Sequence, residues 1–364
     1  MKATSLLILS LTFLGCQSTE QVKTVEKMDS FSLELGKVAL DSKFEDTKWS
    51  IWGASIVKGH DDLYHMYYSR WEKNLGWAWV TDSEIAHAVS KSPFGPWEFQ
   101  DVALAPRGSE YWDGLCTHNP TVHFFDGKYY LYYMGNTGDG KNPSSPGNLV
   151  YNMIHRNNQR IGVAVAEQAN GPWKRSDTPL IDVSEEENSL DALMTSNPSV
   201  TQRPDGGYLM VYKAVGKKNP GPYGGPVVHC VATSDSPLGP FKKHDLPVFT
   251  AENFDFPAED PFIWFQAGKY RAIVKDMHGA FTEAGQALVL FESEDGFDWK
   301  LASDPLLSKL EIKWADGELQ KVQHLERPQV YLENGIPIAL LCASDTRDED
   351  NVLHSFNVQI PILK

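Results

Sequence analysis

The stretch Ala258-Glu259-Asp260-Pro261-Phe262-Ile263 returns, with substitutions, at three other places in the chain. These are Thr117-His118-Asn119-Pro120-Thr121-Val122, Thr195-Ser196-Asn197-Pro198-Ser199-Val200 and Leu325-Glu326-Arg327-Pro328-Gln329-Val330. A fifth copy lacks the proline and reads Trp52-Gly53-Ala54-Ser55-Ile56-Val57. The residue before the proline position is then 54, 119, 197, 260 and 327, at intervals of 63 to 78 residues. Self-similarity at such a period marks one supersecondary unit used several times over.

Each copy is followed by a turn and a run of aromatic or β-branched residues, as in Gly127-Lys128-Tyr129-Tyr130-Leu131-Tyr132-Tyr133. A third apolar run comes next, such as Ile161 to Ala166, and the unit turns at Gly95-Pro96-Trp97, Gly171-Pro172-Trp173 or Gly239-Pro240-Phe241. Short alternating strands split by Gly/Pro turns are an all-β signature, and four per unit fit a propeller blade. The reading is a five-bladed β-propeller over residues 31–364. Its last blade ends near Ile360, and the N-terminal strand Phe31 to Leu35 supplies the missing outer strand, so that no sheet edge stays open. Two separate β-sandwiches would also give short strands, but they do not explain a five-fold repeat in register.

The 364 residues carry a net charge of −15, which excludes nucleic acid as a partner because phosphate binding needs clustered Lys and Arg. Hydrophobic residues make up 41% and charged residues 22%, the balance of a globular chain. The first segment reads as an address. Lys2 precedes the apolar run Leu6 to Leu14, too short to span a bilayer, which ends at Gly15-Cys16. Residues 1–15 are expected to be an export signal, Cys16 to be the acylated residue of a bacterial lipoprotein, and 16–30 to be a linker. The mature protein is then a monomer tethered to a membrane of the cell envelope. Cys116, Cys230 and Cys342 lie far apart and read as buried small hydrophobes, and Cys116-x-His118 lacks the further ligands that zinc requires.

In a propeller the first strand of each blade lines the central channel and the second runs antiparallel beside it. First-strand starts and second-strand ends therefore meet on one face, where pockets form. That rule gathers His118, Asn119, Asn197, Glu259, Asp260, Glu326 and Arg327 with Arg70, Trp71, Lys213, Lys275, His278 and Arg347, and places Asp113 just upstream. Five cations, Arg70, Lys213, Lys275, Arg327 and Arg347, on one rim of an acidic protein suit a small anionic ligand. They also suit pairing with the acids beside them, as buried charges require. Trp49, Trp52, Trp71, Trp77, Trp79 and Trp112 crowd the same region and offer flat faces to sugar rings.

The blade pattern, and Glu259-Asp260-Pro261-Phe262-Ile263 above all, resembles the five-bladed propeller glycosidases of the family 43, 32 and 117 type. The likeness spans residues 50–362 as architecture and is specific at few positions. In the family 43 pattern a general acid Glu stands two residues before Pro on blade four, where this chain has Glu259. The blade-three carboxylate is replaced by Asn197 and the blade-one base by Ala54. Glycosidic hydrolysis needs two carboxyl groups, so the second must come from elsewhere. Glu326 is the leading replacement, Asp260 and Asp113 follow, and Glu259 is the acid.

The resemblance implies a glycoside hydrolase, and with the cationic rim the expected substrate is an acidic, uronate- or sulfate-bearing cell-wall oligosaccharide, attacked in exo fashion. It implies no organic cofactor, though related propellers sometimes hold calcium in the channel. The departures leave two alternatives open. One is β-elimination on a uronate, as a dehydratase or lyase with a base such as His118 or His278. The other is glycan binding without catalysis.

Overall fold

The computed structural model describes residues 31–349 and 352–363. The signal, the linker and Cys16 lie outside the described residues. The described chain holds five four-stranded antiparallel sheets. Blade I comprises Trp49–Lys58, Tyr64–Glu72, Glu84–Ser90 and Glu98–Leu104, and blade II Cys116–Phe125, Lys128–Asn136, Arg160–Ala166 and Lys174–Arg175. Blade III comprises Met194–Gln202, Tyr208–Val215, Val227–Ser234 and Lys242–Val248, and blade IV Ala258–Gln266, Lys269–Asp276, Ala287–Ser293 and Lys300–Lys309. Blade V is Leu325–Glu333, Ile336–Arg347 and Leu353–Pro361, completed by Lys43–Glu45.

The expected closure by an N-terminal strand is present, but the pairing segment differs. Lys43, Phe44 and Glu45 pair with Val358, Asn357 and Phe356. Phe31 to Leu35 follows the same outer edge and touches the sheet at one bridge, Leu35 to Ile362. Its alternating Phe31, Leu33 and Leu35 are instead spent on the apolar layer between blades IV and V. Around that bridge Gly36 N donates to Pro361 O at 2.7 Å and Leu363 N to Glu34 O at 2.8 Å, while the continuous edge pairing is made by Lys43–Glu45.

Five apolar clusters fill the five blade interfaces, from Val57, Tyr67, Leu131 and Tyr133 between blades I and II to Ile51, Met66, Tyr331 and Leu341 between V and I. Period-two alternation produces this directly: each strand sends successive side chains to the two neighbouring blades. Cys116, Cys230 and Cys342 are buried free thiols, as read from their spacing.

The repeated motif has a conformational signature. Gly53, Asn119, Asn197, Asp260 and Arg327 all adopt positive φ, between 48° and 53°. Each sits in a bulge where the first strand slips against the second. The blade-I equivalent of Asn119 is therefore Gly53, one residue earlier than the sequence alignment at Ala54. A left-handed residue costs about 1–2 kcal/mol unless it is Gly or, less readily, Asn or Asp, and Arg327 departs furthest from that preference. Bulges also free backbone N–H groups, and these find partners in neighbouring blades. Asn119 N donates to Ser69 Oγ at 2.8 Å, Val122 N to Ser55 Oγ at 3.0 Å and Ile263 N to Ser199 Oγ at 2.9 Å.

Candidate active site

The five left-handed residues ring the propeller axis, and their side chains are bonded in sequence. Asn119 Nδ2 donates to Asn197 Oδ1 at 2.8 Å, and Asn197 Nδ2 donates to Asp260 Oδ1 at 2.7 Å. The Arg327 guanidinium reaches Asp260 Oδ1 at 3.3 Å and Asn119 O at 3.4 Å. Gly53 closes the circuit with its missing side chain: a Cβ there would lie 3.2 Å from Arg327 Cγ and 3.3 Å from Asn119 Oδ1. The ring plugs the channel and forms the floor of a cavity of about 730 Å³.

One residue earlier on each first strand, Trp52, His118, Ser196, Glu259 and Glu326 form the next tier, and all five line the cavity. Their cross-strand partners drive a relay between blades. Lys213, opposite Ser196, reaches forward to Glu259 of the next blade, Nζ to Oε1 2.5 Å. Lys275, opposite Glu259, reaches forward to Glu326 in the same way. With the Arg327–Asp260 pair, three cations meet three carboxylates in one buried cluster.

The environment pulls the two glutamates apart. Burial pushes Glu259 upward, but Lys213 and Lys275 outweigh it and hold the carboxyl well below its ordinary range. Glu326 moves up: burial comes first, and repulsion from Glu259 and Asp260 adds to it against Lys275. Asp260 is raised by burial too, with Arg327 opposing. Neighbouring carboxyl groups held in such different environments are a recurrent arrangement of acid–base sites.

The opposite wall is aromatic. His118 lies against Trp71 and Trp79, ring centroids 5.9 and 4.9 Å away, and its Nδ1 bonds Ser83 Oγ at 2.7 Å. Burial, and then the Arg327 charge, keep this imidazole far below its usual pKa and hence neutral. Trp79 stacks on Tyr151 at 5.5 Å. His324, also in the wall, bonds Asp345 Oδ2 through Nδ1 at 2.7 Å, and that bond raises its pKa.

Most of the residues singled out from sequence converge here: Trp71, His118, Asn119, Asn197, Lys213, Glu259, Asp260, Glu326, Arg327 and Arg347 all line the cavity. Four do not. Asp113 is fully buried elsewhere, paired with Arg107 at 2.7 Å and Arg175 at 3.4 Å and accepting from Tyr133 Oη. It pins the loop before blade II and drops out of the candidate catalytic set. Arg70 alternates with Trp71 along its strand and points to the other face. There it pairs with Glu84 at 2.9 Å and stacks on Trp49 and Phe99. His278 lies beyond the end of its strand in a loop that Asp276 folds back through four backbone bonds, and it stacks on Phe254. Lys275 is 2% exposed and meets Glu326 rather than the cavity, which makes it a positioning residue.

His324, Tyr151 and Arg156 stand outside the candidate set drawn from sequence. His324 is within its reach, two residues before Glu326 on the strand-start rule. Tyr151 and Arg156 come from residues 137–159, inside blade II, which carry no repeat signal.

The channel residues do not fit a calcium ion. The single carboxylate of the axial ring, Asp260, is already neutralised by Arg327, and the guanidinium occupies the axis. Among the described residues no group of three or more metal-ligating side chains is assembled.

No family model matches this chain, and no curated protein does. Solved structures do match. One is Zg3597, a family 117 glycoside hydrolase from the marine bacterium Zobellia galactanivorans, at 18% identity over 90% of each chain with a TM-score of 0.58. A second, BT0996 in complex with RGII, is 15% identical over 89% of this chain and 91% of the other, TM-score 0.63. The native arabinanase of Bacillus subtilis is 14% identical over 85% and 97%, TM-score 0.53. This chain shares the propeller fold of those proteins. Among the described residues the carboxyl groups that line its cavity are Glu259, Asp260, Glu326 and Asp345.

Proposed function

We propose that the protein is a carbohydrate-active enzyme of the envelope, a glycoside hydrolase that trims acidic oligosaccharides from one end. The observation that carries this reading is the pair Glu259 and Glu326. They hold the same position on adjacent blades, both line the cavity, and Lys275 lies in register with one and bonded to the other. Glu326, with its pKa raised, donates a proton to the departing glycosidic oxygen. Glu259, held ionised, activates water or attacks the sugar. The roles are thus reversed from those the sequence resemblance implies. A cavity with a plugged floor supports attack at a chain end, and the Trp79–Tyr151 platform supports stacking on a sugar ring.

One observation favours a second reaction. His118 is neutral, has Nδ1 committed to Ser83, and stands in the cavity wall near Arg327. With Nδ1–H donating to Ser83, Nε2 of such an imidazole would be open to take the C5 proton of a uronate whose carboxylate is held by a cation. Expulsion of the C4 substituent would complete an elimination.

Incubation with a panel of uronate-containing and sulfated oligosaccharides, followed by mass spectrometry, separates the two. Addition of one water across the products supports hydrolysis. Loss of one water, or an unsaturated-uronate absorbance, replaces it with elimination, and saturable binding without product replaces both. The tether is proposed from Gly15-Cys16 alone, and an acylated N-terminal peptide beginning at Cys16 is the expected mass-spectrometric result.

A further inference from the structure

Lys213, Lys275 and Arg327 each face a carboxylate, so their charges are spent within the protein. Arg156 differs. It lines the same cavity at 8% exposure, yet its Nη1 bonds are to neutral oxygens, Tyr223 O at 2.6 Å and Asn157 Oδ1 at 2.9 Å. Among the described residues it forms no ion pair. Burying a cation out of bonding reach of an anion is costly, here with only the through-space charge of Glu259 to offset it, and a ligand can supply the missing contact.

The surroundings hold Arg156 in place. It belongs to the short helix Met153–Asn157, capped by Asn152 Oδ1 accepting from His155 N at 3.0 Å. The buried His155 anchors that helix by two bonds, Nδ1 with Asn136 Oδ1 at 2.9 Å and Nε2 with Lys141 O at 2.8 Å. A guanidinium fixed in this way has little ordering entropy left to lose, and its planar fork matches a carboxylate or a sulfate. The stacked Trp79 and Tyr151 line the same cavity and Tyr151 neighbours Arg156, so a sugar lying on that platform lies beside this turn.

We infer that Arg156 is the docking point for an oxyanion on the sugar, a uronate carboxylate or a sulfate ester. The inference rests on the function proposed above for the kind of ligand, but not for the reaction. The residue sets specificity by charge.

The test is ligand titration by NMR or calorimetry of the full-length protein with glucuronate, glucose 6-sulfate and glucose, none of which has a glycosidic bond to hydrolyse. The wild type is expected to prefer at least one charged sugar over glucose by about tenfold or more, the size of one charge-assisted contact. Arg156→Gln abolishes that preference, and Arg156→Lys keeps only part of it because a point charge cannot form the fork. Which charged sugar is preferred identifies carboxylate or sulfate as the group.

A wild type without charge preference overturns the proposal. So does a preference that survives both substitutions, or an equal loss of affinity for all three sugars accompanied by a lower Tm, which is the pattern of a purely structural residue. Should Arg156→Gln fail to fold, Arg156→Lys decides alone. Because no turnover is needed, a chain that binds as expected but releases no product removes the hydrolase reading and leaves this one standing.

Discussion

Two halves of one ring meet at the channel mouth. At a single structural position, blades I and II present the neutral Trp52 and His118, the latter flanked by Trp71 and Trp79. Blades III to V present Ser196, Glu259 and Glu326, with Lys213 and Lys275 threaded between them. The backbone is the same in each case, with a left-handed residue next along the strand in a bulge. The side chains divide the work. On the proposed function, one half offers apolar area to the face of a sugar, and the other concentrates charge in a buried cluster where each carboxyl is tuned by its neighbours. A propeller gains this freedom because no blade has to repeat the chemistry of another.

Substitutions on the two sides should break that division differently. The largest effect is expected on the charged half: Glu259→Gln should lower kcat by about 10³-fold or more, with Tm near that of the wild type, in steady-state assays on the active oligosaccharide. Near-normal turnover would dissolve the charged half as a catalytic unit.

Next comes the pH profile. With Glu259 as base and Glu326 as acid, kcat/KM falls at low pH through the lowered Glu259 pKa and at high pH through the raised Glu326 pKa. Lys213→Met removes the cation that holds Glu259 down, so the acidic limb should move to higher pH while the alkaline limb stays. An unmoved acidic limb would assign the base elsewhere.

On the aromatic half Trp79→Ala should raise KM about tenfold and leave kcat within about twofold, since it removes stacking made equally in ground and transition states. A fall in kcat of the size seen for Glu259→Gln would erase the contrast between the halves. The smallest kinetic effect belongs to the scaffold. Ser199→Ala strands the buried Ile263 N–H and should cost about 1–3 kcal/mol in denaturant unfolding with kinetics unchanged.

The repeat made the fold legible: four copies around a recurring proline announced the blades, and the strand-start rule gathered ten residues that do line the cavity. It failed where chain proximity does not fix direction. Arg70 and Trp71 are neighbours, but the pleat sends them to opposite faces. Asp113 precedes the blade-II strand closely, yet two arginines and a tyrosine turn it inward. Aligning blade I on Ala54 rather than Gly53 followed the proline column, whereas the feature the blades share is a backbone angle that glycine adopts without any motif. Arg156 escaped because it lies in the long connection between the second and third strands of blade II, outside the repeat, where no periodicity marks a residue.

By itself the sequence determined the five-fold sheet architecture, because alternation and turns act locally and each copy repeats them. It also determined the identity of the two glutamates, because they recur at one motif position. Only the tertiary structure decided which charges remain unspent. Whether Lys213, Lys275, Arg327 or Arg156 has a carboxylate beside it depends on side chains from other blades and loops, brought within a few ångströms by closure of the ring.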